Sequence, residues 1–145
     1  MANDWIIQVD TRQHQVPFPP HILTTTERPD IVMYSNTLKI VIIFELTAPA
    51  EENLEYWRKK KRTKYMKLAE NIRNRCIWKT VVFTVEVGAR GFVSKSFNGV
   101  CRRLGISNKH TTKLIKDVSR MSMRCSHFIW ICRNNKEWKT PDSML

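Results

Sequence analysis

The chain has 145 residues, with 42 % hydrophobic content and only four glycines, which fits one folded domain and excludes a disordered tail. Twenty-five Lys and Arg against thirteen Asp and Glu leave a net charge of +12, a self-repulsion that a polyanionic partner offsets. Nucleic acid is the first such partner and an anionic membrane surface the second, with purely electrostatic binding as the bland form of the same inference. No stretch approaches the roughly twenty apolar residues of a membrane span, and the N-terminus lacks the apolar run of a signal peptide. Cys76, Cys101, Cys125 and Cys132 form neither a CxxC pair nor a zinc-finger spacing, so they are expected as reduced, buried thiols. An intracellular, reducing compartment follows, and the nucleus if the partner is DNA.

In chain order, WIIQV at residues 5 to 9 predicts a short strand ending at Asp10, and the proline-rich TRQHQVPFPP that follows predicts an irregular connection. Arg28-Pro29-Asp30 opens a second strand, IVMYS, because proline suits the first residue of a strand or its edge. Ser35-Asn36-Thr37 is turn chemistry. The nearly unbroken apolar run KIVIIFEL then predicts a central strand, with Glu45 as its conspicuous exception.

A long helix is expected from near Glu51, since Pro49 fits a first turn and Glu51 and Glu52 complement the positive end. Leu54, Trp57, Lys61, Tyr65, Leu68, Ile72 and Cys76 recur at spacings of three and four, one stripe that Lys61 interrupts. Lys64 lies about 60° off that line, while Arg58, Lys59, Lys60, Arg62 and Lys67 mostly point elsewhere. Trp78 to Val87 predicts another strand, with Val81, Phe83, Val85 and Val87 on one face and Glu86 on the other, exposed one. It would run parallel to its predecessor through a crossover. A short helix over roughly Ser94 to Leu104 ends at Gly105. A second runs from Ser107 or Asn108 to about Arg124, with Leu114, Ile115, Val118 and Met121 inward. His127 to Cys132 reads as a last strand or extended cover, and Trp138 closes the ordered part.

The chemistry centres on two acids. Asp30 and Glu45 have fourteen residues between them and fall on or beside the strands of one hairpin. Two such carboxylates share a hard divalent cation, which acidifies a water and offsets charge building on a phosphate. A lysine nearby would steady that phosphate. The bland alternative is a Glu45–Lys61 ion pair with no metal. Glu86 and Asp10 rank below them as further acids. Arg28, Lys60 and Arg90 are candidate phosphate contacts, Arg90 having as its alternative a local ion pair in a turn. Lys59 to Arg62 reads as a nuclear-localisation cluster or a solvated helix face. Lys109, Lys113, Lys116, Arg120 and Arg124 repeat at three and four, one cationic stripe suited to phosphates.

The segments DWIIQVD, RPDIVMYS, FELTAPAEE, KRTKY and VEVGARGF, over roughly residues 4 to 138, resemble the PD-(D/E)XK nuclease superfamily. More narrowly, Arg28-Pro29-Asp30, fourteen residues and then Glu45 look like the restriction-like endonuclease found C-terminal in some non-LTR retrotransposon polyproteins. The resemblance implies an α/β fold with a restriction-endonuclease-like core, a small mixed sheet (strand hairpin, long helix, strand) flanked by helices. It implies one domain over 1–145, with the core sheet and long helix in 4–87 and C-terminal helices and cover in 88–138. It further implies Mg²⁺ or Mn²⁺ at Asp30 and Glu45, DNA as substrate and a reverse transcriptase domain in a parent polyprotein. Thr47 stands where the superfamily carries its lysine, so that role moves to Lys61 or Lys64, next to Tyr65. No reverse transcriptase and no cysteine–histidine knuckle accompany the segment, so a detached piece or domesticated remnant is expected. A nuclease fold that only binds nucleic acid is the runner-up.

Overall fold

A computed structural model describes residues 2–11 and 13–135. Its strands are β1 (Trp5–Val9), β2 (Ile31–Ser35), β3 (Ile40–Thr47) and β4 (Lys79–Glu86); its α-helices are α1 (Leu54–Arg75), α2 (Lys95–Arg103) and α3 (Asn108–Cys132). The fold is α/β, a four-stranded mixed sheet with helices, in spatial order β1-β2-β3-β4. The chain divides into two compact units, Met1–Thr47 with Glu55–Val85 and Ala48–Leu54 with Glu86–Leu145.

In the first unit, β1, β2 and β3 form an antiparallel meander. The mixed sheet therefore has β4 running parallel to β3, its neighbour. Lys79 N donates to Lys39 O at 2.8 Å where these two strands begin. The expected hairpin turn is closed by Asp4: Ser35 Oγ donates to Asp4 Oδ1 (2.6 Å) and Thr37 N to Oδ2 (2.8 Å). These bonds hold the Asp4 carboxyl down at about 2. Lys39 takes up the left-handed conformation at φ 53°, which reverses the chain into β3.

Val32, Tyr34, Val41 and Ile43, alternate residues of β2 and β3, are buried with Tyr65, Leu68 and Ile72 of α1 and with Phe18, Ile22 and Trp78. The burial of α1 follows the sequence stripe: Tyr65, Leu68 and Ile72 are buried, and Leu54, Trp57, Lys61 and Cys76 half-buried. Ala69 is the only other buried residue of this helix. A short 3-10 turn, Glu51–Asn53, precedes α1 and supplies the acids at its positive end. Arg73 and Arg75 occupy its last turn, where cations complement the carbonyl end.

In the second unit, three expectations are corrected. His127 to Cys132 is neither strand nor cover but the final turns of α3. A short apolar run is ambiguous between strand and helix, and no Gly or Pro between Ile106 and Thr140 stops a helix already under way. Leu114 and Met121 do not point inward; they are 39 % and 49 % exposed. The inner stripe instead runs Thr111, Ile115, Val118, Ser122 and Cys125. Ser122 is accommodated there because its hydroxyl donates to Gly88 O at 2.8 Å. Glu86 is buried rather than exposed; one further correction falls in the first unit, where Val81, expected on the buried face of β4, is 36 % exposed. Gly91, at φ 90°, lets the turn pass α3 closely, for a Cβ there would lie 2.8 Å from Met123 Cγ. All four cysteines are free; Cys101 is buried and the others half-buried. The expected end of order at Trp138 lies outside the described residues.

Candidate active site

The hairpin register decides the site. Ile31 pairs with Phe44 and Val32 with Ile43, so one further step sets Asp30 directly opposite Glu45. Cross-strand partners share a face of the sheet, with Cβ atoms about 4.5–5.5 Å apart. That face is the one buried under α1, because Asp30 continues the parity of Val32 and Tyr34, and Glu45 that of Val41 and Ile43. The fourteen-residue spacing thus becomes adjacency.

Glu45 is 1 % exposed. Its Oε1 accepts a charge-assisted hydrogen bond from Lys61 Nζ, the residue that interrupts the apolar stripe of α1. Its Oε2 is buried and has no hydrogen-bond partner. A buried carboxylate oxygen left without a donor costs on the order of 1–3 kcal/mol or more, a cost that a donor or a cation placed there would offset. Asp30 is half-buried, and its Oδ2 accepts from Leu46 N at 2.7 Å. Burial, and next the charge of Glu45, push the Asp30 carboxyl above its ordinary value, against the pull of the Leu46 amide and Lys61. Tyr65, buried on the inner face of α1, feels the charge of both acids. Its hydroxyl donates to Arg28 O at 3.2 Å, and burial followed by the Glu45 charge holds it protonated well above the usual tyrosine range.

The other sequence candidates fall elsewhere. Lys64 pairs with Glu27 at 2.6 Å and lies over the Tyr65 ring, 5.0 Å from its centre. Arg28 pairs with Asp10 at 2.7 Å. That bond and the Val16 amide keep the Asp10 carboxyl below its usual range, so its oxygens are already engaged. Lys60 is exposed, over Trp57 and Tyr56. In the second unit, Arg90 is held by Glu51 and Glu52, both at 2.8 Å, which is the local pairing that was its alternative reading. Lys109, Lys113, Lys116, Arg120 and Arg124 are all exposed on one face of α3, Arg120 lying 3.9 Å from Asp117. Glu86, in that unit, accepts from Ser96 Oγ at 3.2 Å, and its Oε1 has no partner.

Among the described residues no group of three or more His, Cys, Asp and Glu side chains is gathered for a metal. A cation at the hairpin would rest on Asp30, Glu45, main-chain carbonyl and water, a hard oxygen set that fits Mg²⁺ better than Zn²⁺. Among the described residues, no helix is long and apolar enough to cross a membrane. Sequence reasoning passed over Asp4, whose only signal was an acid next to a strand, and read Glu86 as solvent-facing because strand alternation leaves the covered side open. Compared with protein-family models and with curated proteins, the chain matches none.

Proposed function

We propose that the chain is a metal-dependent DNA endonuclease domain that hydrolyses phosphodiester bonds, with Asp30 and Glu45 as the metal-holding acids. The observation that carries this reading is the Glu45 side chain: buried, tied to Lys61 through one oxygen and without a partner on the other. A purely structural ion pair gains most when every buried lone pair is satisfied, and this one is not. A divalent cation between the two acids supplies Lewis acidity and a counter-charge for the scissile phosphate. Lys61, 30 % exposed at its side chain, directs its ammonium to the same carboxylate and is available to a phosphate oxygen or an attacking water. This supports assigning Lys61 the role that Thr47 is unable to fill. Lys64, engaged with Glu27, has the weaker claim. The half-buried Tyr65–Arg28 bond ties α1 to the segment that leads through Asp30 into β2.

A supercoiled plasmid incubated with the protein in Mg²⁺ or Mn²⁺, with and without chelator, tests the assignment. Nicking is expected, abolished by chelator and by Asp30→Ala or Glu45→Ala, with DNA binding near wild type. Lys61→Ala is expected to lose about 10²–10³-fold in rate, the cost of one transition-state donor. Cleavage by both acid variants at the wild-type rate rejects the site. Salt-sensitive DNA binding with no cleavage in either metal assigns the chain instead to a nuclease-like module that only binds.

A further inference from the structure

The solvent side of α1 is patterned as closely as its buried side. Tyr56, Lys60, Thr63, Lys67 and Asn71 follow one another at intervals of four, three, four and four, a single stripe flanking the buried one. Lys60, Thr63, Lys64, Lys67, Leu68 and Asn71 line a groove of about 470 Å³ that Thr25 and Glu27 close from the segment before β2. Of its three lysines only Lys64 has a carboxylate partner, Glu27, among the described residues. Tyr56, one helical turn before the groove's Lys60, is 61 % exposed, a large aromatic surface in water. It meets Trp57 edge to face, ring centres 5.5 Å apart. Lys60 Nζ is drawn over both rings, 4.8 Å from Trp57 and 5.9 Å from Tyr56.

We propose that this face is a track for single-stranded nucleic acid, in which Tyr56 stacks an unpaired base while Lys60 and Lys67 neutralise successive phosphates. The inference rests on the nuclease reading and adds to it the form of the polymer. Charge complementarity selects a polyanion, since the chain carries +12. The exposed ring selects an unpaired strand, because a duplex hides its base faces whereas a single strand offers one per nucleotide. From Tyr56 to Lys67 is eleven residues, about 16 Å at 1.5 Å per residue, room for several linked nucleotides. Thr63 and Asn71 add neutral donors within the groove, suited to sugar and phosphate oxygens.

The test is fluorescence anisotropy of the full chain in chelator, so that nothing is cut, with a labelled unstructured single-stranded oligonucleotide and a blunt duplex as probes. Tyr56→Ala is expected to weaken single-strand binding about 5- to 150-fold, one stacked base, and duplex binding far less. Tyr56→Phe should retain wild-type affinity, since the ring and not the hydroxyl stacks. Lys67→Ala should reduce the magnitude of the slope of log affinity against log salt by about 0.7 for the single strand. Single-strand binding indifferent to Tyr56→Ala and Lys67→Ala, in a protein that still binds duplex and nicks plasmid, overturns the track and leaves the nuclease reading standing. Polyglutamate competing as well as the oligonucleotide at equal charge also overturns it, for the face would then take any polyanion. If neither probe binds and no plasmid is nicked, the underlying reading itself fails.

Discussion

Asp30 and Glu45 differ in how each is held. Glu45 has the Lys61 cation, while Asp30 has one amide donor and the neighbouring negative charge of Glu45. The raised pKa of Asp30 therefore marks a folded state that carries its ionised form at a cost. The sign follows: between the unfolded and folded values the native state binds more protons than the unfolded one, so stability falls as pH rises through the folded pKa. Asp30→Asn removes that loss while retaining an acceptor for Leu46 N. Without divalent metal, the variant is expected to melt higher than wild type above the Asp30 pKa, and the gap should narrow as pH falls below the ordinary 3.8. Thermal melts across pH check it. A variant no more stable than wild type at neutral pH would show that Asp30 is not strained by burial. Asp30 is thus held at a cost to the fold, beside a Glu45 oxygen that has no hydrogen-bond partner.

Helix α1 carries two assignments on two faces. Its inner face packs Tyr65, Leu68 and Ile72 on the sheet and delivers Lys61 to the edge of that packing, so core and site share one rigid element. Ile72 is fully buried, and Ile72→Ala is expected to cost about 2–5 kcal/mol, read from urea unfolding of the full chain. A loss under 1 kcal/mol would mean that α1 does not pack as described. The outer face has no such constraint; Arg58, Lys59 and Lys64 pair there with Glu55 or Glu27, and Lys60 and Lys67 are the cations assigned to a ligand. Helix α3 is built on a different plan. Its inner stripe is small and polar as much as apolar, with Ser122 satisfied by the Gly88 carbonyl. Ser107 caps its N-terminus, accepting from the His110 amide. The element therefore owes its length to uninterrupted helical propensity as much as to burial.

For the whole molecule, the charge of +12 is distributed over both units, on the outer face of α1 in one and the exposed stripe of α3 in the other. A cationic stripe without aromatic company contributes affinity and salt dependence rather than sequence readout. Lys113→Ala and Lys116→Ala are accordingly expected to weaken duplex DNA binding uniformly across sequences. Each should lower the magnitude of the salt slope by about 0.9. Binding isotherms at several salt concentrations measure this. An unchanged slope in both variants would remove α3 from the DNA-contacting surface. Because the division into units falls at the end of β4, the two cationic faces are separately testable.

The sequence alone was sufficient for what depends on period and local chemistry. The strand WIIQV, the turn at Ser35-Asn36-Thr37 and the stripe of α1 with Lys61 inside it were all legible, because burial imposes its period on neighbouring residues directly. The pairing of Asp30 with Glu45 was legible for the same reason: a short hairpin allows few registers. Other features needed the tertiary structure. Whether Lys61 or Lys64 reaches Glu45 turned on about 60° of helix rotation and on Glu27 standing where Lys64 could meet it. The burial of Glu86 depended on which side of its strand is covered, the inward stripe of α3 on a carbonyl 34 residues away from Ser122. Those outcomes are set by partners distant in the chain, and composition and period carry no record of them.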